Sequence, residues 1–229
     1  PAWRELGPAT TPGPDITQLQ SSLIALGYDP DHHIEVGDTF SAATSAAVAA
    51  WQAHTGQAPT GTVALGAVVF EPGPWGGCEG FDKMVPLALD NVIYSFHMYK
   101  PHSLTHQGIQ GIPSGTAYPG VIEGERWDKE RLREAMAPAI DFQREFNAHI
   151  YVGEFSCIRW APPPSAFNYL RDAIDLFEEY GWDWSYHSYY GFNGWSVEHG
   201  ADPNDNQPAE QPTDRKELLL QWFEKNERP

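Results

Sequence analysis

Four short runs of β-branched and aromatic residues constrain this chain more than any other feature. They span residues 67–70, 91–97, 149–155 and 182–187. Between them, Asp128 to Phe146 sets Leu132, Met136, Ile140 and Phe146 on one helical face. Ser165 to Tyr180 does so with Leu170, Ala173, Ile174 and Phe177, and a last helix carries Leu218, Leu219, Trp222 and Phe223. Parallel neighbours can be joined only by a connection that returns to the starting edge of the sheet, and a helix is the usual one. Strand and helix alternating four times therefore predict an α/β portion with a parallel sheet.

The first third of the chain has another texture. Pro1 to Pro14 holds four prolines and two glycines and reads as a linker. Asp15 then stands as an N-cap before Ile16, Leu19, Leu23 and Leu26 at helical spacing, and Gly27 offers a stop. A loop over 28–39 contains His32 and His33, and a second helix from Ser41 to about Gly56 places Thr44, Ala47, Val48 and Trp51 on one face. Leu19-Gln20, Leu23, Leu26-Gly27-Tyr28, Phe40, Thr44, Ala47-Val48, Trp51-Gln52, Gly56 and Thr60-Gly61 together resemble the peptidoglycan-binding-like domain. That resemblance implies a small three-helix module over residues 15–67, followed by a second domain over 68–229. The two histidines lack a third ligand at fixed spacing, so no metal or other cofactor is assigned.

Composition narrows the function classes. The formal charge is −17, from 31 acidic against 14 basic residues, with no cationic stripe. Nucleic acid and anionic membrane surfaces are thereby poor partners. Aromatic residues make up 13%, nine Trp and ten Tyr among them, which suits stacking on sugar rings. Two cysteines, Cys78 and Cys157, allow one disulfide at most. No run of ~18 apolar residues occurs, and the first residues do not read as a signal peptide.

Cleaving a glycosidic bond requires a proton donor for the leaving oxygen and a carboxylate beside the anomeric carbon, because the transition state is cationic. In barrel enzymes such groups stand at the C-terminal ends of strands. Glu154 closes the strand Ile150-Tyr151-Val152-Gly153, and His97 and Tyr99 close the strand from Asn91 to Phe96. Those two segments resemble the seventh and sixth strands of family 5 glycoside hydrolases. Residues 181–187 resemble the eighth strand and 68–76 the fifth. The resemblance implies that Glu154 is the nucleophile, that Tyr99 hydrogen-bonds it, and that His97 positions the acid or the substrate. It makes Trp75, Trp160, Trp184, His187 and Trp195 candidates for sugar contact, His187 standing where many members keep a tryptophan.

Strands one to four of such a barrel have no counterpart here, nor has the Asn-Glu pair that supplies the family's acid and base. The chain's only Asn-Glu dipeptide is Asn226-Glu227. The expected fold is thus a half (β/α)8 barrel of four parallel strands behind a helical module. Its two unpaired edges and an apolar inner face predict a homodimer that closes one eight-stranded barrel. The partner's eighth strand and the loop after it would then offer His187, Asp183 and Glu198 as proton donors. The implied function is endoglucanase-type hydrolysis of β-1,4-glucan with weakened activity and retaining ancestry, in a secreted or periplasmic protein. The alternatives are a glycan or cell-wall binding protein without turnover, and a chimeric fusion without evolved activity.

Overall fold

A computed structural model describes residues 5–54, 58–64, 68–73, 75–87, 92–188 and 191–226. Ala67, Asn91, Gly56, Glu227 and the first four residues, all part of sequence expectations, lie outside these. The chain divides into two compact units, residues 1–68 with 88–91, and residues 69–87 with 92–229.

In the first unit, β1 (Glu5–Leu6) pairs antiparallel with a later strand, β2 (Val63–Ala64). Two helices lie between them, α1 (Pro14–Ala25) and α2 (Ala42–His54). Among the described residues the unit thus has two α-helices where the resemblance implied three. Helix α1 starts at Pro14 with Gly13 as its N-cap, two residues before the expected start, since the fixed φ of proline and its missing N–H suit the first turn. Its end is a Schellman turn. Gly27 takes φ +80°, the Gly27 N–H donates to the Ile24 carbonyl and the Tyr28 N–H to the Leu23 carbonyl. Leu26 caps that turn and points outward, 65% exposed, off the expected buried face.

The core of this unit is Leu6, Ile16, Leu23, Ile34, Phe40, Ala47 and Val48. Fully buried Leu6 corrects the reading of residues 1–14 as linker throughout: the prolines flank β1 without interrupting it. Two buried amides explain why Gln20 and Gln52 belong to the motif. Gln20 donates to the Thr39 carbonyl at 2.9 Å and accepts from the Gly37 N–H at 2.8 Å. Gln52 donates to the Thr62 carbonyl at 2.8 Å and accepts from the Gly61 N–H at 3.0 Å. Each side chain satisfies loop backbone that would otherwise be buried unpaired.

The second unit contains β3 (Val68–Phe70, from its second residue), a 3₁₀ turn (Cys78–Lys83), β4 (Val92–Met98) and α3 (His102–Thr105). A hairpin of β5 (Gly120–Ile122) and β6 (Glu125–Trp127) precedes α4 (Lys129–Ala135) and α5 (Ala137–Phe146). Then come β7 (His149–Phe155), α6 (Ser165–Glu179), β8 (Asp183–Tyr186) and α7 (Asp214–Phe223). The sheet order is β3-β4-β7-β8, with β4, β7 and β8 parallel. The expected four-stranded α/β architecture is therefore present, with the hairpin and the 3₁₀ turn as unforeseen additions.

The single helix expected over 128–146 is two. Asp128 caps the first by accepting from the Arg131 N–H, but Pro138 has no N–H to offer the carbonyl four residues back, so the helix breaks at Met136. Alternation sends Tyr94, Phe96, Met98, Ile150 and Val152 toward the helices, and an irregularity in β7 adds Phe155; there Phe142 meets Tyr94 at 4.9 Å and Phe177 meets Phe155 at 5.0 Å. Each fully buried side chain of this size contributes about 1.5–3 kcal/mol.

The opposite face departs from expectation. It carries Ile93, Ser95, Tyr151, Gly153 and Ser185, and so is mixed, with three hydroxyl side chains, instead of apolar. Tyr151 donates to Ser185 Oγ at 2.8 Å, and Ser185 Oγ donates to the Gly153 carbonyl. The two edge strands of the sheet are β3 and β8.

Candidate active site

Parallel strands bring all their C-terminal ends to one edge of the sheet. That edge gathers Glu71 directly after β3, His97 near the end of β4, Glu154 near the end of β7 and His187 directly after β8. Strict alternation would have pointed Glu154 the wrong way, among the helix-facing Ile150 and Val152. The strand avoids this with a bulge. Phe96 pairs with Val152, yet His97 pairs with Glu154 and Met98 with Phe155, so β7 holds one extra residue. The β8 register shifts over the same stretch, Val152 opposite Trp184 and Phe155 opposite Tyr186.

Gly153 makes the bulge feasible. A Cβ there would sit 2.6 Å from Ser95 Oγ, far inside contact distance. With Gly153 absorbing the extra residue, Glu154 turns to the face of His97.

The resulting chain of groups is continuous. Glu71 Oε2 lies 2.9 Å from His97 Nε2, His97 Nδ1 lies 3.7 Å from Glu154 Oε2, and His187 Nδ1 lies 3.7 Å from Glu154 Oε1. Tyr99 donates its hydroxyl to Glu154 Oε2 at 3.0 Å, and Ser95 donates to Glu71 Oε2 at 3.2 Å. Burial, and then the Glu154 charge, push the ionisation of Tyr99 well up, so the phenol stays a donor. Glu71, His97, Tyr99 and Glu154 open into a cavity of about 730 Å³ whose walls include Trp75, Glu79, Lys100 and Trp195.

One wall is fixed by a hydrogen-bond relay. Thr105 Oγ1 donates to the Tyr99 carbonyl at 2.6 Å, so its only hydrogen is used. The 2.9 Å contact between Thr105 Oγ1 and His106 Nδ1 must then have the ring as donor, leaving His106 Nε2 as acceptor. Burial first and neighbouring His102 second lower His106 to about 4, which keeps the ring neutral. Trp195 packs against Tyr99, His106 and His187 at centroid distances of 5.6, 4.9 and 5.4 Å and donates its indole N–H to the Thr105 carbonyl. Its loop is held by buried Arg159, which donates to the carbonyls of Asn193, Gly200, Asp202 and Asp205.

The sequence-derived candidates separate into three groups. Glu154, His97, Tyr99, His187 and Trp195 converge. Trp75 stands on the rim, 92% exposed, its backbone at φ +63°. Trp160 and Trp184 do not reach the cavity. Trp160 donates to the Gln107 carbonyl, and its ring meets Phe192 and the Arg159 guanidinium. Trp184 stacks on Phe223 and donates to Glu178, because its register with Val152 puts it on the helix side. Of the proposed partner-chain donors, Asp183 lies at the opposite end of the strands, 3.0 Å from His149, and Glu198 is paired with Lys216 at 2.8 Å. Cys78 and Cys157 are separate buried thiols, both pushed up to about 12 by burial.

Sequence reasoning passed over Glu71. The rule that singled out Glu154, a carboxylate directly after an apolar run, applies equally to Val68-Val69-Phe70-Glu71. It also passed over His102 and His106, four residues apart and stacked at 3.7 Å on the cavity wall.

Residues 12–63 match the family described as "Putative peptidoglycan binding domain". Endoglucanase C of Acetivibrio thermocellus is 32% identical over 42% of this chain and 36% of its own length. Cellodextrinase A of Ruminococcus flavefaciens is 28% identical over 40% of this chain and 28% of its own. The chain thus spans about a third of the curated relatives it matches. Among solved structures, endoglucanase Cel5A of Thermotoga maritima aligns with a TM-score of 0.54 at 18% identity, covering 88% of this chain and 65% of that one. A cellobiose complex of the same enzyme aligns at 0.52 and 23%, covering 67% and 47%. These likenesses give the second unit its fold, four parallel strands of the kind that form part of a glycoside hydrolase barrel. The chain is a peptidoglycan-binding-like helical domain followed in sequence by a partial α/β barrel that resembles the endoglucanases of glycoside hydrolase family 5.

Proposed function

We propose that the second unit hydrolyses β-1,4-linked glucan in the endoglucanase manner, with Glu154 as the carboxylate at the anomeric carbon. The observation that carries this reading is the convergence on Glu154 of a donating Tyr99 and the imidazoles of His97 and His187, with the Trp195 ring on the wall of the cavity that Glu154, His97 and Tyr99 line. The activities for which the relatives Endoglucanase C and Cellodextrinase A are named support the substrate class. No Asn-Glu pair stands at the strand ends of the described residues, so turnover is expected to be slow, by a factor of about 10²–10⁴ relative to a site with a fully placed acid. Sugar release from carboxymethylcellulose or an aryl β-cellobioside tests the reading. The parent should release sugar and Glu154→Gln should not, and equal rates for the two would remove it.

The match of residues 12–63 favours a second reading, a wall-glycan binding protein without turnover, exported to the periplasm or beyond. Retention of the whole chain on insoluble peptidoglycan or cellulose, without sugar release, would select it. Under either reading, we propose that two chains pair edge strands β3 and β8 to close one barrel, since an open parallel edge recruits a strand. A molar mass equal to one chain across micromolar concentrations would exclude that pairing.

A further inference from the structure

We propose that Glu71 is a positioning residue that fixes which nitrogen of His97 carries the hydrogen, so that the ring turns a bare Nδ1 toward Glu154 and leaves Tyr99 as its hydrogen-bond donor. The inference rests on the reading of Glu154 given above and deepens it. Glu71 Oε2 lies 2.9 Å from His97 Nε2, within hydrogen-bond distance, and also accepts from Ser95 Oγ at 3.2 Å. A carboxylate has only acceptor atoms, so its contact with the ring requires the hydrogen on Nε2. In the neutral ring the other nitrogen is then a lone pair. The distance from Nδ1 to Glu154 Oε2 agrees with this: at 3.7 Å it lies beyond hydrogen-bond range, while Tyr99 donates to the same oxygen at 3.0 Å.

The backbone holds both partners to this arrangement. Glu71 directly follows β3, and the His97 N–H donates to the Gly76 carbonyl at 2.7 Å. A Cβ on Gly76 would meet the Glu71 carboxyl at 2.8 Å and the His97 ring at 3.1 Å, so glycine there lets loop, carboxylate and ring close on one another. Lys100 on the cavity wall pairs with Glu79 at 2.9 Å and does not compete for Glu71.

The chemical consequence falls on Glu154. With the hydrogen on Nδ1 instead, the ring would donate to Oε2, the oxygen that Tyr99 already holds. A second hydrogen bond there would stabilise the carboxylate charge and make it a poorer nucleophile. His187 Nδ1 is likewise 3.7 Å from Oε1, which leaves that oxygen clear of a close ring N–H. Glu71 thus acts through His97 and need not touch the sugar.

Kinetics and a nitrogen spectrum test the assignment together. The substrate is 2,4-dinitrophenyl β-cellobioside, whose leaving group needs no proton donor. Glu71→Ala is expected to lower kcat roughly 10–10²-fold, as misplacement of a catalytic group does, with KM within about threefold of the parent. On a His97→Ala background the same change should cost less than about twofold, because it acts through a ring no longer present. Long-range proton–nitrogen correlation spectra of the whole chain identify the His97 signals by their loss in His97→Ala. They should show the hydrogen on Nε2 in the parent and a shift toward Nδ1 in Glu71→Ala. Glu71→Leu, which keeps the bulk and cannot accept, should match Glu71→Ala in both readouts. Urea midpoints of both variants, expected to match the parent because the Glu71 side chain is 38% exposed, exclude misfolding as the cause. A parent ring with its hydrogen on Nδ1, an unchanged spectrum in both variants, a loss carried by KM, or losses that multiply in the double variant overturns the proposal and leaves the role of Glu154 standing. A parent no more active than Glu154→Gln overturns both.

Discussion

Gly153→Ala is the sharpest probe of how this fold aims its carboxylate. The φ of Gly153 is not among the positive values, so alanine meets no backbone strain there. What it meets is Ser95 Oγ at 2.6 Å, then the His97 ring at 3.5 Å. Ser95 is 1% exposed, and its hydroxyl is committed to Glu71, so it has little room to yield. Overpacking of this kind costs about 1–3 kcal/mol, which for a unit of this size lowers Tm by roughly 2–4 °C per kcal/mol. The clash is with the hydroxyl oxygen specifically, so Ser95→Ala on the Gly153→Ala background should return most of the loss. Urea denaturation of the parent, both single variants and the double variant gives the coupling energy, expected at about 1–2 kcal/mol in the restoring direction. Strictly additive single effects would show that Ser95 does not confine position 153, and the steric account of the bulge would fail.

Other perturbations follow from the same contacts. Arg159→Met removes four donors from carbonyls in a buried loop and should cost at least about 3 kcal/mol, read as a lower urea midpoint together with a Trp195 emission shift toward the solvated value. Tyr118→Phe takes the hydroxyl from buried Asp172, 2.9 Å away, and should cost about 1–3 kcal/mol with little effect on sugar release. His106 is held near 4 when folded against an ordinary 6.5, so between these values the unfolded chain binds more protons. Its stabilisation is present above pH 6.5 and lost as pH falls toward 4, and His106→Gln should flatten the urea midpoint across that window. Unchanged pH dependence in that variant would contradict the neutral, Nδ1-protonated assignment.

What the sequence settled alone is whatever rests on near neighbours in the chain. The Gly27 stop and the β7 boundaries at His149 and Phe155 were legible, because caps and alternation are local. The break at Met136 was just as legible through Pro138, where the periodicity of the apolar face had masked a missing donor. Glu154, His97 and Tyr99 could be singled out because each stands at the end of an apolar run. The sequence could not tell which way Glu154 points, since a single residue of register between β4 and β7 reverses its face. Nor could it separate Trp195, turned into the cavity by a loop that Arg159 pins, from Trp184, turned out to the helices by pairing with Val152. Glu71 and His97 are 26 positions apart in the chain, and their contact exists only because parallel strands end together. Tertiary structure decided which side chains share one space, since register and strand order are set by pairing across the sheet and not by any stretch of chain alone.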